Sequence, residues 1–281
     1  MRQNFYDILR SARIKPNEIY QNLVTLFFKE TEEIRVDSLW TQSYSLYSWI
    51  EKNFRQFPYK RCCISLKEFD DRMGFKNLHD TPKLFDEYES QVNALIILCE
   101  YVLNFLMYIS FPRELCAKRD ITLNYIDEIN NELHLVKTHK RDGVYIITHA
   151  DPVIEALTTV VEEDIALSLV EYTHHSMEGN IEKKKSILSS LAKNLEAKRD
   201  SLNNIAKDLV EAFFCGVNNL DIRHDNKTLE SKNYNQNTLS LSNKELEKVY
   251  DKLFRIGLTL FSILESKEDI CVIKNLSNRK K

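Results

Sequence analysis

The chain has 281 residues, 43% of them hydrophobic and 29% charged, with a formal net charge of −3 and only five Gly and five Pro. That length can bury a core without disulfides or metal, the composition excludes a disordered chain, and the balance of charge excludes the uniformly basic field of a nucleic-acid coat protein while allowing a local RNA site. Scarce chain breakers favour long helices, so a mostly α fold is expected.

In chain order, Gln3 to Ile34 reads as two helices separated at Lys15-Pro16, the second with Ile19, Leu23, Leu26 and Phe27 on its apolar face. A third helix is expected from Ser38 to Phe54, its aromatic residues Trp40, Tyr44, Tyr47 and Trp49 filling a core rather than stacking on bases. From Pro58 to Pro82 the pattern weakens into a loop punctuated by Gly74, Asn77 and Asp80. The expected division follows from that loop: residues 1–80 as an N-terminal helical segment and 81–281 as a helical domain. Leu84 to Ile109 is the most apolar run, but Asp86, Glu87, Glu89 and Glu100 interrupt it, which favours a central bundle helix over a membrane span.

After a helix around Leu123 to Asn131 the period changes. Leu133, Leu135 and then Val144, Ile146 flank Lys140-Arg141-Asp142-Gly143, which predicts a small β-hairpin inserted into the helical domain. His134, His139 and His149 on it lack a matching carboxylate or Cys spacing, and none of the six cysteines forms a C-x-x-C pair, so no metal site and no cofactor are expected. Cys99 and Cys215 read as small core residues. No signal-peptide pattern marks the polar N-terminus, and the expected compartment is the cytoplasm.

Asp151-Pro152 opens a helix through Val161, Asp164 caps another through Tyr172, and His174-His175 follow at its end. Asn180 is the expected N-cap of a helix burying Ile181, Ile187, Leu188, Leu191 and Leu195, with Lys183, Lys184 and Lys185 on a solvated face. The next helix carries Leu202, Ile205, Leu209, Phe213 and Val217, widened by Ala206, Val210 and Phe214. Lys227 to Ser240 reads as a surface loop. Ser242 and Glu245 then form a capping box for a last helix, Lys244 to Glu265.

The densest polar cluster, Asn218, Asn219, Arg223, His224, Asp225 and Asn226, lies where the Leu202 helix ends. Arginine offers a charged fork for phosphate and histidine a side chain that titrates near neutrality, so the pair has the chemistry to bind and cleave a phosphodiester. The same residue types also cap helix C-termini, and residue types do not separate the two readings.

From about Leu84 to Leu264 the chain resembles the HEPN superfamily of helical domains, most closely those of bacterial abortive-infection proteins. The resemblance is carried by Tyr88-Glu89-Ser90-Gln91-Val92-Asn93-Ala94-Leu95, by Glu171-Tyr172 through Gly179-Asn180-Ile181-Glu182-Lys183-Lys184-Lys185, and by Asn218-Asn219-Leu220-Asp221-Ile222-Arg223-His224-Asp225-Asn226. It implies a helical bundle that forms a homodimer and acts as an antiphage, toxin-type ribonuclease by metal-independent transesterification. Arg223 would stabilise charge, His224 would move the proton, and Asn219, Asp225 and Asn226 would bind substrate. Arg223 and His224 match the first two positions of the family's motif; Thr228, Leu229 and Glu230 stand where its later His belongs. The alternative is a non-catalytic helical module that binds a protein partner, a nucleotide or RNA.

Overall fold

A computed structural model describes residues 14–35, 40–75, 78, 87–224, 226, 232 and 235–277. The expected helix before Lys15 lies outside them. The described chain is mostly helical, with two antiparallel two-stranded sheets, and it divides into two compact units, Met1–His149 and Ala150–Lys281. The expected division at residue 80 is therefore corrected: it falls inside the first unit. Its physical reason is packing, because α1 (Pro16–Phe28) lies against α4 (Tyr88–Tyr108) and both feed one core.

In the first unit Pro16 opens α1, which buries Tyr20, Leu23 and Phe27. The helix expected from Ser38 begins later. Strand β1 (Glu32–Arg35) pairs with β2 (Thr41–Tyr44), and only then does α2 (Leu46–Asn53) start. Ser45 is the switch, since its hydroxyl accepts the Ser48 amide at 2.9 Å while the Ser48 hydroxyl accepts the Ser45 amide at 2.9 Å. A further helix, α3 (Leu66–Met73), occupies part of the expected loop; Ser65 caps it and Gly74, at φ +80°, ends it in the left-handed region.

Helix α4 is long and apolar enough to cross a membrane by length and composition, yet Leu95, Leu98, Cys99, Val102 and Phe105 are buried in the core it shares with α1, α2 and α5 (Arg113–Glu132). The hairpin of β3 (Leu135–His139) and β4 (Tyr145–His149) forms where expected. Its tip is a three-residue loop with Gly143 at φ +88°, closed by the Gly143 amide on the Lys140 carbonyl and the Lys140 amide on the Val144 carbonyl. Asn104 docks it on α4: its amide donates to the Tyr145 carbonyl at 2.9 Å and its oxygen accepts the Tyr145 amide at 2.8 Å.

The second unit contains α6 (Pro152–Thr158), α7 (Glu163–Tyr172), α8 (Ile181–Glu196), α9 (Arg199–Asn219), α10 (Gln236–Ser240) and α11 (Asn243–Ser277). Asp151 and Asn180 accept helix-start amides as expected, and the Ser242–Glu245 capping box is present. Asp164, by contrast, lies inside the first turn of α7 and Glu162 is the cap residue. Helix α9 breaks at Ala206 (φ −141°, ψ 51°). Ile205, just before the break, is exposed, while Val210, Phe213 and Val217 after it are buried; Cys215 is exposed rather than core. Helices α9 and α11 pack closely, with Gly216 against the Leu253 side chain and Gly257 against the Phe213 ring.

Candidate functional site at the end of helix α9

The last turn of α9 closes with the Leu220 amide on the Gly216 carbonyl at 3.0 Å. Asp221 then turns the chain at φ +60°, a conformation that costs a non-glycine residue about 1 kcal/mol. Several contacts offset that cost. The Asp221 amide donates to Asn226 Oδ1 at 2.8 Å, and the Asn226 amide donates back to Asp221 Oδ1 at 3.3 Å. Lys185 Nζ meets Asp221 Oδ2 at 3.1 Å, the Tyr250 hydroxyl donates to the Leu220 carbonyl at 2.8 Å, and the Arg223 amide reaches the Val217 carbonyl at 3.1 Å. Burial, with Asp221 nearby, pushes the Tyr250 phenol well up, so it stays a neutral donor.

This bracket fixes where Arg223 and His224 emerge. The Arg223 guanidinium lies against Glu196 at the end of α8, with Nη2 to Oε2 at 2.9 Å and Nη1 to Oε1 at 3.2 Å. Such two-point pairing holds a guanidinium plane in one orientation. His224 is exposed. The amide of Asn219 donates to its own helix, at the Cys215 carbonyl 2.9 Å away, and its carbonyl accepts from Thr238 Oγ1 and Asn235 Nδ2. Asn218 Oδ1 is buried with no hydrogen-bond partner among the described residues.

Of the residues expected to bind substrate, Asn226 is only 1% exposed, and its side chain serves the Asp221 turn. Asn219 is exposed but its amide is spent locally. Asp225 lies outside the described residues. Sequence reading missed the groups that organise the loop: Lys185, Glu196 and Tyr250 stand on other helices, 36, 27 and 30 residues from their partners. Their spacing carries no local signal.

A second polar cluster joins α8 to α7 and α11. Lys184, expected on a solvated face, is buried and meets Glu247 at 2.8 Å and Asp251 at 2.7 Å. The Tyr172 hydroxyl donates to Asp251 at 3.1 Å, and its ring stacks on Phe254 at 3.9 Å. Burial raises the Glu247 carboxyl, but Lys184 and the Gly179 amide more than offset this and leave it lowered. The cluster ties three helices together.

No family model matches the chain, and no curated protein or solved structure matches it either. The three segments that carry the HEPN resemblance lie in both units: Tyr88–Leu95 falls in α4 of the first, and the other two fall in the second.

Proposed function

We propose that the second unit is a non-catalytic helical module of the HEPN kind, and that the loop after α9 serves as its contact surface for a partner. The observation that carries this reading is the matching of charge at the loop. Arg223 faces Glu196 and Lys185 faces Asp221, while Asn226 is used inside the turn. Phosphodiester cleavage needs a cation aimed at the developing charge together with a proton donor and acceptor. Here the cation already has a carboxylate on two of its N–H groups, and His224 is the one histidine of the loop. A pre-oriented Arg beside an exposed His suits docking, since interfaces favour an arginine whose plane is fixed before binding. The partner that the resemblance implies is a second copy of the chain, joined about a two-fold axis.

One observation favours the other reading, an antiphage ribonuclease of the abortive-infection type. His224 is exposed next to Arg223, so a two-fold pairing would bring two Arg-His pairs to one cleft and supply separate proton donors and acceptors. A single experiment separates the two. Purified protein is incubated with a mixed RNA pool in EDTA, and its mass is read by light scattering in parallel. The module reading expects no cleavage from wild type or His224→Ala, and a loss of dimer mass in Arg223→Ala. Cleavage by wild type that His224→Ala abolishes would replace it with the ribonuclease.

A further inference from the structure

The first unit carries a surface that the reading of the α9 loop does not use. Its aromatic core does not stop at the interior. From Phe57 the rings continue outward through Tyr59, Tyr108 and Tyr145 to His139. Phe57 and Tyr59 centroids are 5.7 Å apart, Tyr59 and Tyr108 5.1 Å, Tyr108 and Tyr145 6.3 Å, and Tyr145 and His139 4.6 Å. The three tyrosines are partly exposed, and His139 is exposed. The Tyr108 hydroxyl donates to the Gly143 carbonyl and lies 3.1 Å from His139 Nε2. A Cβ on Gly143 would run into the Tyr59 hydroxyl, so the loop at Tyr59 and the hairpin tip touch. Burial and the Tyr59 hydroxyl hold the Tyr108 phenol up to about 12, which keeps it neutral.

Charge collects on the same two segments. Residues 55–64 contain Arg55, Lys60 and Arg61 with no acidic residue, and residues 139–145 contain Lys140 and Arg141 with Asp142 alone. Five basic groups against one acidic group give the two segments a formal charge of about +4, against −3 for the whole chain, and the Glu68 carboxylate, which accepts the Ile64 amide at 2.9 Å, faces the first of them from α3. Backbone strain is held here too. Arg61 and Cys62 have φ +44° and +65°, and the Cys63 amide closes the turn on the Lys60 carbonyl at 2.8 Å. Two consecutive non-glycine residues in the left-handed region persist only where the surroundings over-determine them, and such sites cluster at ligand clamps. The strained turn leaves Arg61 exposed next to Tyr59 and Lys60.

We propose that this loop and the hairpin tip together form a binding surface for single-stranded nucleic acid, with the His139–Tyr145 rings stacking a base and Arg61 and Arg141 contacting flanking phosphates. A single strand fits the chemistry better than a duplex or an acidic protein. Its bases offer π faces to partly exposed rings, its phosphates match the local charge, and a duplex hides the faces that the rings would stack on. The surface lies in the first unit and does not depend on Arg223.

The test uses the full chain and fluorescein-labelled oligo(U) and oligo(dT) of about a dozen nucleotides, a matched duplex, and polyglutamate as competitor, read by anisotropy over a salt series. Both single strands bind in the expected result, or oligo(U) alone if the site reads the 2′-hydroxyl. His139→Ala weakens binding by about fivefold or more with an unchanged salt slope. Arg61→Glu/Arg141→Glu abolishes binding at moderate salt, and Arg141→Ala flattens the slope by about 0.7. Lys207→Ala, which removes an exposed cation of the second unit outside the α9 loop, binds as wild type does. All substituted positions are exposed or lie in the other unit, and unchanged thermal melts check that the variants fold. The proposal is overturned by any of four outcomes: no anisotropy change at low salt, undiminished binding by the double variant, equal displacement by polyglutamate and by unlabelled oligo(dT), or binding that Lys207→Ala removes.

Discussion

The two units bury charge in opposite ways. In the first, Asp70 of α3 is 4% exposed and has two phenols for company, Tyr101 donating at 3.0 Å and Tyr47 at 3.3 Å. Burial lifts its carboxyl to about 6 although both phenols pull it down, and Asp71 and Glu51 add to the rise. In the second, Lys184 is 6% exposed but lies between Glu247 and Asp251. A buried charge with a counter-charge ties elements together; one with only neutral donors stores a proton-dependent cost. The first arrangement is therefore sensitive to pH and the second to mutation.

The largest effect expected from that contrast is at Lys184. Replacing it with Met leaves two carboxylates facing each other without their cation, and removing one partner of a buried pair costs about 3–5 kcal/mol. Urea unfolding followed in the second unit should show this loss, and a change below about 0.5 kcal/mol would mean the pair is solvated in solution. Next comes Leu98→Ala in α4. Leu98 is fully buried, so the cavity should cost the first unit about 2–5 kcal/mol.

Asp70→Asn should go the other way and stabilise. The folded carboxyl, at about 6, lies above its ordinary value of 3.8, so the folded state holds its proton more tightly than the unfolded chain. Its contribution is fully present below pH ~4 and lost as pH rises through about 6. The difference of about two units corresponds to about 3 kcal/mol at pH 7. Asn keeps an acceptor for both phenols and carries no charge. The variant should melt higher than wild type at pH 7 and match it near pH 4; equal melting at both values would remove the uncompensated charge from the account.

What could be read from sequence follows from how local each signal is. Asp151, Asn180 and the Ser242–Glu245 box act within one helical turn, and all three caps are present. The hairpin at Asp142-Gly143 is a local turn signal of the same kind. The β1–β2 pair escaped because Thr41–Tyr44 reads equally well as the start of a helix, and only pairing across to Glu32–Arg35 makes it a strand. Helix α3 escaped because eight residues with two buried apolar positions give little periodicity. At the α9 loop, the polar cluster itself was visible. Its organisation was not, because Lys185, Glu196 and Tyr250 come from distant helices, and no local spacing says that Asn226 turns inward.

The smallest expected stability effect concerns the pair on which the functional reading turns. Glu196 is half-exposed, with 47% of its side chain accessible, and Arg223 retains 24%. An exposed ion pair contributes below about 1 kcal/mol even when its geometry is good, because water screens both groups. Glu196→Gln should therefore leave the unfolding midpoint of the second unit almost unchanged. Its effect on the loop is different in kind, since it removes the negative charge beside Arg223 while the Asp221–Asn226 bracket stays intact. In a docking surface the substitution loosens the guanidinium and weakens partner capture or dimer mass, with RNA untouched. In a ribonuclease it frees Arg223 for phosphate and raises cleavage in EDTA. Light scattering and RNA cleavage on the one variant thus give opposite signs, with almost no contribution from stability to confuse them.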